Sequence, residues 1–279
     1  MSSSNDSAKS IEALQQENMR LAKELERVNE ERIEYLQNVA HQLVAPLNAI
    51  KWHIENMTSN RIGVERAKKV LRSIYSQSTI AVHLAKNFAL MSNLEADHSL
   101  TALREPLQEV DLCALVINLA DDFQPLGWDK ELTISVDAES LADAPAVLAM
   151  KPLISQAFSN VIENAVKYAK RGSEIDINGA YDRASDSVTI SVRNLGIPLR
   201  PDDAARIFDR GYRTAEARSQ YPAGTGFGLY IALKIIQIHQ GKLAARPIGD
   251  RGAIFDITLP VRALEGKGRV REAKDRSAH

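Results

Sequence analysis

The chain has 279 residues, 44% of them hydrophobic and 25% charged, with a net charge of −1. That length suffices for one or two domains with their own cores. The balanced charge offers no general attraction to nucleic acid or an anionic membrane, no apolar run reaches the roughly 20 residues of a membrane helix, and the single cysteine, Cys113, excludes an internal disulfide and fits a reducing cytosol.

Residues 1–10 (MSSSNDSAKS) are polar, lack the apolar run of a signal peptide, and are expected to be disordered. A heptad pattern then starts, with Ile11, Asn18, Leu25, Arg32 and Val39 at a and Leu14, Leu21, Val28 and Tyr35 at d. This is the period of a left-handed supercoil, and Asn18 in the seam favours a parallel, in-register pair. The pattern predicts a coiled-coil helix over 11–33; the alternative is an amphipathic helix folded back on its own chain. The helix is expected to continue past His41 to about Met57, kinked near Pro46. After the breaker SNRIG a second helix is expected from about Val64 to Leu94, its stripe of Ala67, Leu71, Ile74, Ala81, Leu84, Phe88 and Met91 covering the first. Two such hairpins paired through the seam make a four-helix bundle, so 34–104 reads as an all-α dimerisation unit.

From residue 105 to 262 the pattern becomes mixed α/β. Asp111 is expected to cap a helix running to about Phe123, with Cys113 packed in its apolar face. Residues 131–136, 173–180, 187–192 and 253–260 alternate apolar and polar and read as half-buried strands, and helices are expected at about 151–169 and 228–239. Residues 263–279 hold little that could build a core and are expected to form a loose tail.

Four segments carry the chemistry: NVAHQLVAPLNAI (38–50), NVIENAVKYAK (160–170), NLGIPL (194–199) and GTGFGLYIALKI (224–235). Asn160 and Asn164, four residues apart, share one helix face. A neutral amide oxygen there can coordinate Mg²⁺ already partly neutralised by phosphates, and Lys167 one turn on can meet a phosphate as a point charge. Taken alone, the pair could equally be a polar helix face with one Asn capping a loop. Gly196 permits a backbone approach that a Cβ would obstruct. The turn Gly224–Thr225–Gly226–Phe227–Gly228 runs straight into a helix and would present unpaired N–H groups to a phosphate; it does not follow a strand within a βαβ unit, which argues against a dinucleotide site. The polar stretch GYRTAEARSQYPA between the glycine turns reads as a lid. His41 falls at heptad position c, outside the seam, where its neutral imidazole is a competent nucleophile near pH 7.

In this order the four segments resemble those of sensor histidine kinases: a dimerisation and histidine-phosphotransfer domain followed by an α/β sandwich ATP-binding domain related to gyrase-type and MutL ATPases. The resemblance spans roughly 34–261. It implies that His41 is the phosphoacceptor, Asn164 the Mg²⁺ ligand with Asn160 beside it, and that Tyr168 edges the nucleotide. It further implies that Asn194 meets the adenine amino group, that RIFDRGYR (206–213) supplies Phe208 under the lid and Arg213 toward the phosphates, and that Gly224, Thr225, Gly226 and Gly228 hold phosphate. The implied substrate is ATP with Mg²⁺, and the implied partners are a second copy of the chain and a response-regulator receiver domain, in the cytoplasm, without nucleic acid or membrane insertion by this chain, which could be the cytoplasmic part of a larger sensor.

A later glycine of the first glycine turn is replaced here, and three further positions depart from the family pattern. The residue after the histidine is Gln42 rather than an acid, so it can orient the ring but not act as a base. Four residues after the histidine stands Ala45 rather than the Thr or Asn that positions a water in phosphatase-competent members. Asn194 replaces the usual Asp and can still accept a hydrogen bond, without charge assistance. Two rivals follow: a dimeric adaptor with a weakened kinase domain, and a gyrase- or MutL-like conformational ATPase, which would need a Glu where Asn160 stands.

Overall fold

The computed structural model describes residues 2–59, 63–97, 106–221 and 224–261. Two long helices come first, α1 (Ser2–Ser59) and α2 (Val64–Asp97). Helix α1 begins at Ser2, ahead of the expected start at Ile11, and continues through Pro46 as one element. The seam side chains of Ile11 and Arg32, the breaker residues 60–62, the linker 98–105 and the tail from 262 lie outside the described residues. The helices run antiparallel: the Tyr35 ring stacks on Phe88 at 6.3 Å between centroids, and farther along His53 Nε2 lies 2.8 Å from the Ser73 hydroxyl.

The rest of the chain forms strands β1 (Gln108–Val110), β2 (Thr133–Val136), β3 (Val147–Ala149), β4 (Glu174–Asp182), β5 (Ser187–Leu195), β6 (Lys242–Pro247) and β7 (Gly252–Pro260). Among them stand helices α3 (Leu112–Gly127), α4 (Lys151–Tyr168), α5 (Ala215–Gln220) and α6 (Gly228–Ile238). Asp111 caps α3 as expected, its carboxylate accepting from the Ala114 N–H at 3.0 Å. Helix α3 runs four residues beyond Phe123, through Pro125. Cys113 is half-buried rather than fully packed.

Five strands form one sheet in the order β2-β4-β5-β7-β6, parallel at β2–β4 and antiparallel elsewhere. Alternate residues of β5 (Val188, Ile190, Val192, Asn194) and β7 (Ala253, Phe255, Ile257, Leu259) are buried. They share the core with Ile154, Phe158, Val161 and Ile162 of α4 and Ile231, Ile235 and Ile236 of α6. The other sheet face is polar and solvated: Thr189 bonds Thr258 at 2.9 Å, Ser191 donates to Asp256 at 2.6 Å, and Arg193 pairs with Asp176 at 2.6 Å. The architecture is therefore the expected one, a helical region followed by an α/β unit with one layer of helices on its sheet.

Cα packing divides the chain into two compact units, the helices to Ala89 with Ala215–Gly226, and Leu90–Thr214 with the chain from Phe227 on. The division falls inside α2, at Ala89–Leu90, and both Leu90 and Met91 are buried.

Candidate functional site

Helix α4 carries both predicted amides, Asn160 and Asn164. Asn160 is buried; its Oδ1 accepts from Gln156 Nε2 at 3.4 Å, and a Cβ built on Gly228 would lie 3.8 Å from that oxygen. Asn160 thus faces Gly228 in the first turn of α6, with room there for an ordinary Cβ contact. Helix α6 starts from Phe227, whose side chain makes no cap hydrogen bond. Asn164 lies one turn along α4, half-buried, on the Asn160 face.

Two turns of α4 bring charge together. Burial pushes the Glu163 carboxyl up, and Lys167 four residues on pulls it back. Burial pushes the Lys167 ammonium down, Glu163 restores part of it, and the positive charges of Arg213 and Lys130 lower it further. The Lys167 ammonium lies 5.5 Å from the Tyr168 ring centroid. Lys167 thus lies close to Tyr168 and within reach of the Arg213 charge, which comes from a separate segment. Lys130 had not been singled out. Its Nζ donates to the carbonyls of Val166 at 3.1 Å and Lys167 at 2.5 Å, tying off the C-terminus of α4 where a cation is favourable. No local pattern signals a contact across 36 residues. Glu163, by contrast, was legible as an i,i+4 partner of Lys167.

The first glycine turn closes β5 against the end of α4. A Cβ on Gly196 would stand 1.9 Å from the Tyr168 carbonyl oxygen and 2.9 Å from Ala169 Cα, so the close approach it permits is that of protein backbone. Gly196 N–H donates to Arg251 O at 2.7 Å, and Ile197 N–H to Tyr168 O at 3.1 Å. Asn194 is 2% exposed on the helix-covered face of β5.

Phe208 is buried in the turn 206–208, which packs against α6. Tyr212 donates to Asp203, the Arg206 guanidinium lies 4.4 Å from the Tyr212 ring centroid, and Arg210 lies 5.8 Å from that of Phe227. The expected lid is not featureless: Ala215–Gln220 is the helix α5, and residues 222–223 lie outside the described residues. Gly226 has φ +74°, a left-handed conformation that favours glycine. Gly224, Thr225 and Gly226 group with the helical unit, as do His41 and Gln42. His41 is exposed on α1, followed by half-buried Gln42, exposed Ala45 and buried Pro46. No described helix is long and apolar enough to cross a membrane.

Residues 150–263 match the family described as histidine kinase-, DNA gyrase B-, and HSP90-like ATPase. The chain is 30% identical over 254 residues to the adaptive-response sensory kinase SasA of Crocosphaera subtropica, covering 89% of this chain and 65% of that protein. It is 26% identical over 246 residues to the sensor histidine kinase WalK of Bacillus subtilis, covering 85% and 38%. It therefore spans less than two thirds of the length of these relatives. Among solved structures, full-length ShkA in complex with AMPPNP superposes with a TM-score of 0.54 at 22% identity, covering 83% of this chain and 46% of that one.

Proposed function

From a chain that carries the histidine kinase-, gyrase B- and HSP90-like ATPase domain and is related over most of its length to sensor histidine kinases, we infer an ATP-dependent autokinase that phosphorylates its own His41 and passes the phosphoryl group to an aspartate of a response-regulator receiver domain. The observation that carries the reading is the polar face of α4. Its Asn160 faces the start of α6, and its lysine feels the charge of Arg213.

In this reading ATP is the substrate. Tyr168 and Asn194 receive the adenine, while Lys167, Arg213, the α6 N–H groups and the turn Gly224–Thr225–Gly226–Phe227–Gly228 receive the phosphates. The donor chemistry fits a divalent cation: Asn164 offers a neutral oxygen that would hold Mg²⁺ alongside the phosphates. When bound, Mg²⁺ neutralises phosphate charge. His41 Nε2 attacks the γ-phosphorus, an N–P bond forms as the bond to the bridging oxygen breaks, and ADP leaves with that electron pair. The Gln42 side-chain carbonyl orients Nδ1–H, and that proton passes to solvent. A receiver carboxylate then attacks the phosphorus, the N–P bond breaks, and the ring takes a proton back from solvent so that the imidazole leaves neutral.

Leu14, Leu21, Leu25 and Val28 are 42–71% exposed along one helix at heptad spacing, which supports a parallel homodimer through α1. The cytoplasm, where ATP and receiver domains occur, is the compartment this reading requires. Ala45 has no side-chain group to position a water, so phosphatase activity toward the receiver is weak or absent; efficient dephosphorylation by the wild type would contradict that.

Displacement of a fluorescent ATP analogue tests the site. Asn164→Ala and Lys167→Met should each weaken ATP binding at least about tenfold, on the scale of one charge-assisted contact. His41→Gln should bind as the wild type does. A wild-type chain that fails to bind ATP supports the adaptor reading, which Gln42, Ala45 and Asn194 favour.

A further inference from the structure

We propose that His239 is a positioning residue for the nucleotide site: its imidazole ties the end of α6 to the start of α4 and so sets the register of the two helices that meet at Asn160 and Gly228. The proposal rests on the nucleotide-site reading above and adds to it a residue that lies outside the site.

His239 closes α6 and is 2% exposed. Its Nδ1 lies 2.8 Å from the Ile235 carbonyl oxygen, and its Nε2 lies 3.0 Å from the backbone nitrogen of Met150. A carbonyl only accepts and an amide N–H only donates, so Nδ1 carries the proton and Nε2 is bare. Both ring nitrogens are engaged by main chain, which fixes one tautomer and one ring orientation. Burial, partly offset by the Ile235 carbonyl, lowers the proton affinity of the ring and keeps it neutral near pH 7. Met150 is the residue from which α4 starts. The bond therefore joins two helix ends that are 89 residues apart in the sequence. The end of α6 is itself held on the sheet, since a Cβ on Gly241 would stand 2.4 Å from the Thr258 carbonyl oxygen.

At the opposite end of the helix pair, Gly228 in the first turn of α6 faces Asn160. Met150 to Asn160 is ten residues of helix and Gly228 to His239 is eleven, so the two antiparallel paths match at about 15 and 16 Å. Between these two contacts lie the buried Ile154, Ala157 and Phe158 of α4 and Ile231, Ala232 and Ile235 of α6. Hydrocarbon burial is non-directional and tolerates a small slide of one helix along the other. A hydrogen bond does not, because its distance and angle are confined. Loss of the Met150 acceptor leaves a buried N–H unpaired, and the start of α4 must shift to satisfy it. A helix moves as one body, so Asn160, Asn164 and Lys167 shift with it against the first-turn N–H groups of α6. Misplacement of such groups by about 1 Å weakens what they hold.

The test separates the two ring nitrogens. His239→Asn puts an amide where Nδ1 stands and can still donate to Ile235, but it falls short of Met150. His239→Gln puts a carbonyl where Nε2 stands and accepts from Met150, giving up Ile235. Displacement of a fluorescent ATP analogue by ATP with Mg²⁺ from the full chain reads both, and circular dichroism checks folding. His239→Asn should weaken ATP binding about fivefold or more, while His239→Gln should stay within about twofold of the wild type. Leu141→Ala, which opens a cavity against Gly179 of β4, should lower stability and leave ATP affinity within about twofold. Wild-type affinity in folded His239→Asn, equal weakening by His239→Gln, or equal weakening by Leu141→Ala each overturns the inference and leaves the nucleotide site standing. Should His239→Asn fail to fold, the wild type decides: coupling is reciprocal, so saturating ATP should slow exchange of the Met150 amide more than that of Ile177 in β4, and equal slowing overturns the inference. A wild type that binds no ATP overturns the site reading itself.

Discussion

Replacing Gly196 with alanine inserts one methyl where the end of β5 meets the end of α4. That Cβ would lie 1.9 Å from the Tyr168 carbonyl oxygen, roughly 1.5 Å short of an ordinary contact. Both obstructing groups are backbone, so no side chain can swing aside. The turn must move away from Tyr168 and Ala169. In doing so it loses the Ile197 N–H to Tyr168 O bond of 3.1 Å and strains the Gly196 N–H to Arg251 O bond of 2.7 Å. Two backbone bonds at about 1 kcal/mol each and an overpacking cost of about 1–3 kcal/mol outweigh the gain of about 0.4–1 kcal/mol from a stiffer unfolded chain. The net loss is about 3 kcal/mol. Each compact unit contains one of the two tryptophans, Trp52 or Trp128, so a Trp52→Phe background leaves Trp128 to report the α/β unit alone. With a urea slope of about 2 kcal/mol per molar, Gly196→Ala should lower the midpoint by about 1.5 M. A shift under about 0.3 M would refute the argument that backbone contact, and nothing else, selects glycine there.

Three further outcomes follow from charged groups. His83 is buried on α2, with burial first and Lys86 second pushing its imidazole from 6.5 to about 4. The unfolded chain therefore binds the proton more readily, so stability rises with pH from about 4 to 6.5, is fully present above 6.5, and is lost as pH falls through that window. That difference is worth about 3 kcal/mol, and urea titrations of His83→Gln should lose this share of the pH slope; an unchanged slope counts against the buried neutral imidazole. The lowered Lys167 ammonium should regain its ordinary proton affinity beside a triphosphate. ATP binding should thus take up protons at a pH where the free lysine is partly neutral, and affinity should fall as pH rises through that range; calorimetry in buffers of different ionisation heat checks this, and Lys167→Met should abolish the uptake. Gln42→Glu should speed labelling of His41 by about tenfold or more, the scale of general-base assistance, and an equal rate would remove the base argument.

The elements most legible in the sequence are those with long periodic faces. Alternation in β5 and β7 located strands that the sheet extends by only one to three residues, and the i,i+4 spacing of Asn160 and Asn164 falls within the helix α4. The strands not foreseen lack such a signal: β1 and β3 are three residues each, and β6 (KLAARP) is an edge strand ending in proline whose burial does not alternate. Helix α5 escaped because AEARSQ has no core-facing stripe beyond Ala217. Within the site, motif spacing brought out Asn160, Asn164, Lys167 and Gly196, yet it could not show that Asn160 faces α6 or that Gly196 meets the Tyr168 carbonyl. Those facts arise from helix–helix and helix–strand packing. Lys130 was invisible for the same reason, since its partners are main-chain carbonyls that carry no sequence signature.

The central claim is that the nucleotide held by the α/β unit delivers its terminal phosphoryl group to the exposed imidazole on α1. Parallel incubations with γ-labelled and α-labelled ATP, followed by acid treatment, test it most directly. The account predicts label on the chain from γ-labelled ATP alone, stable to base, lost in acid, and absent in His41→Gln although that variant still binds ATP. Acid-stable label, label from the α-position, or undiminished labelling of His41→Gln would contradict it.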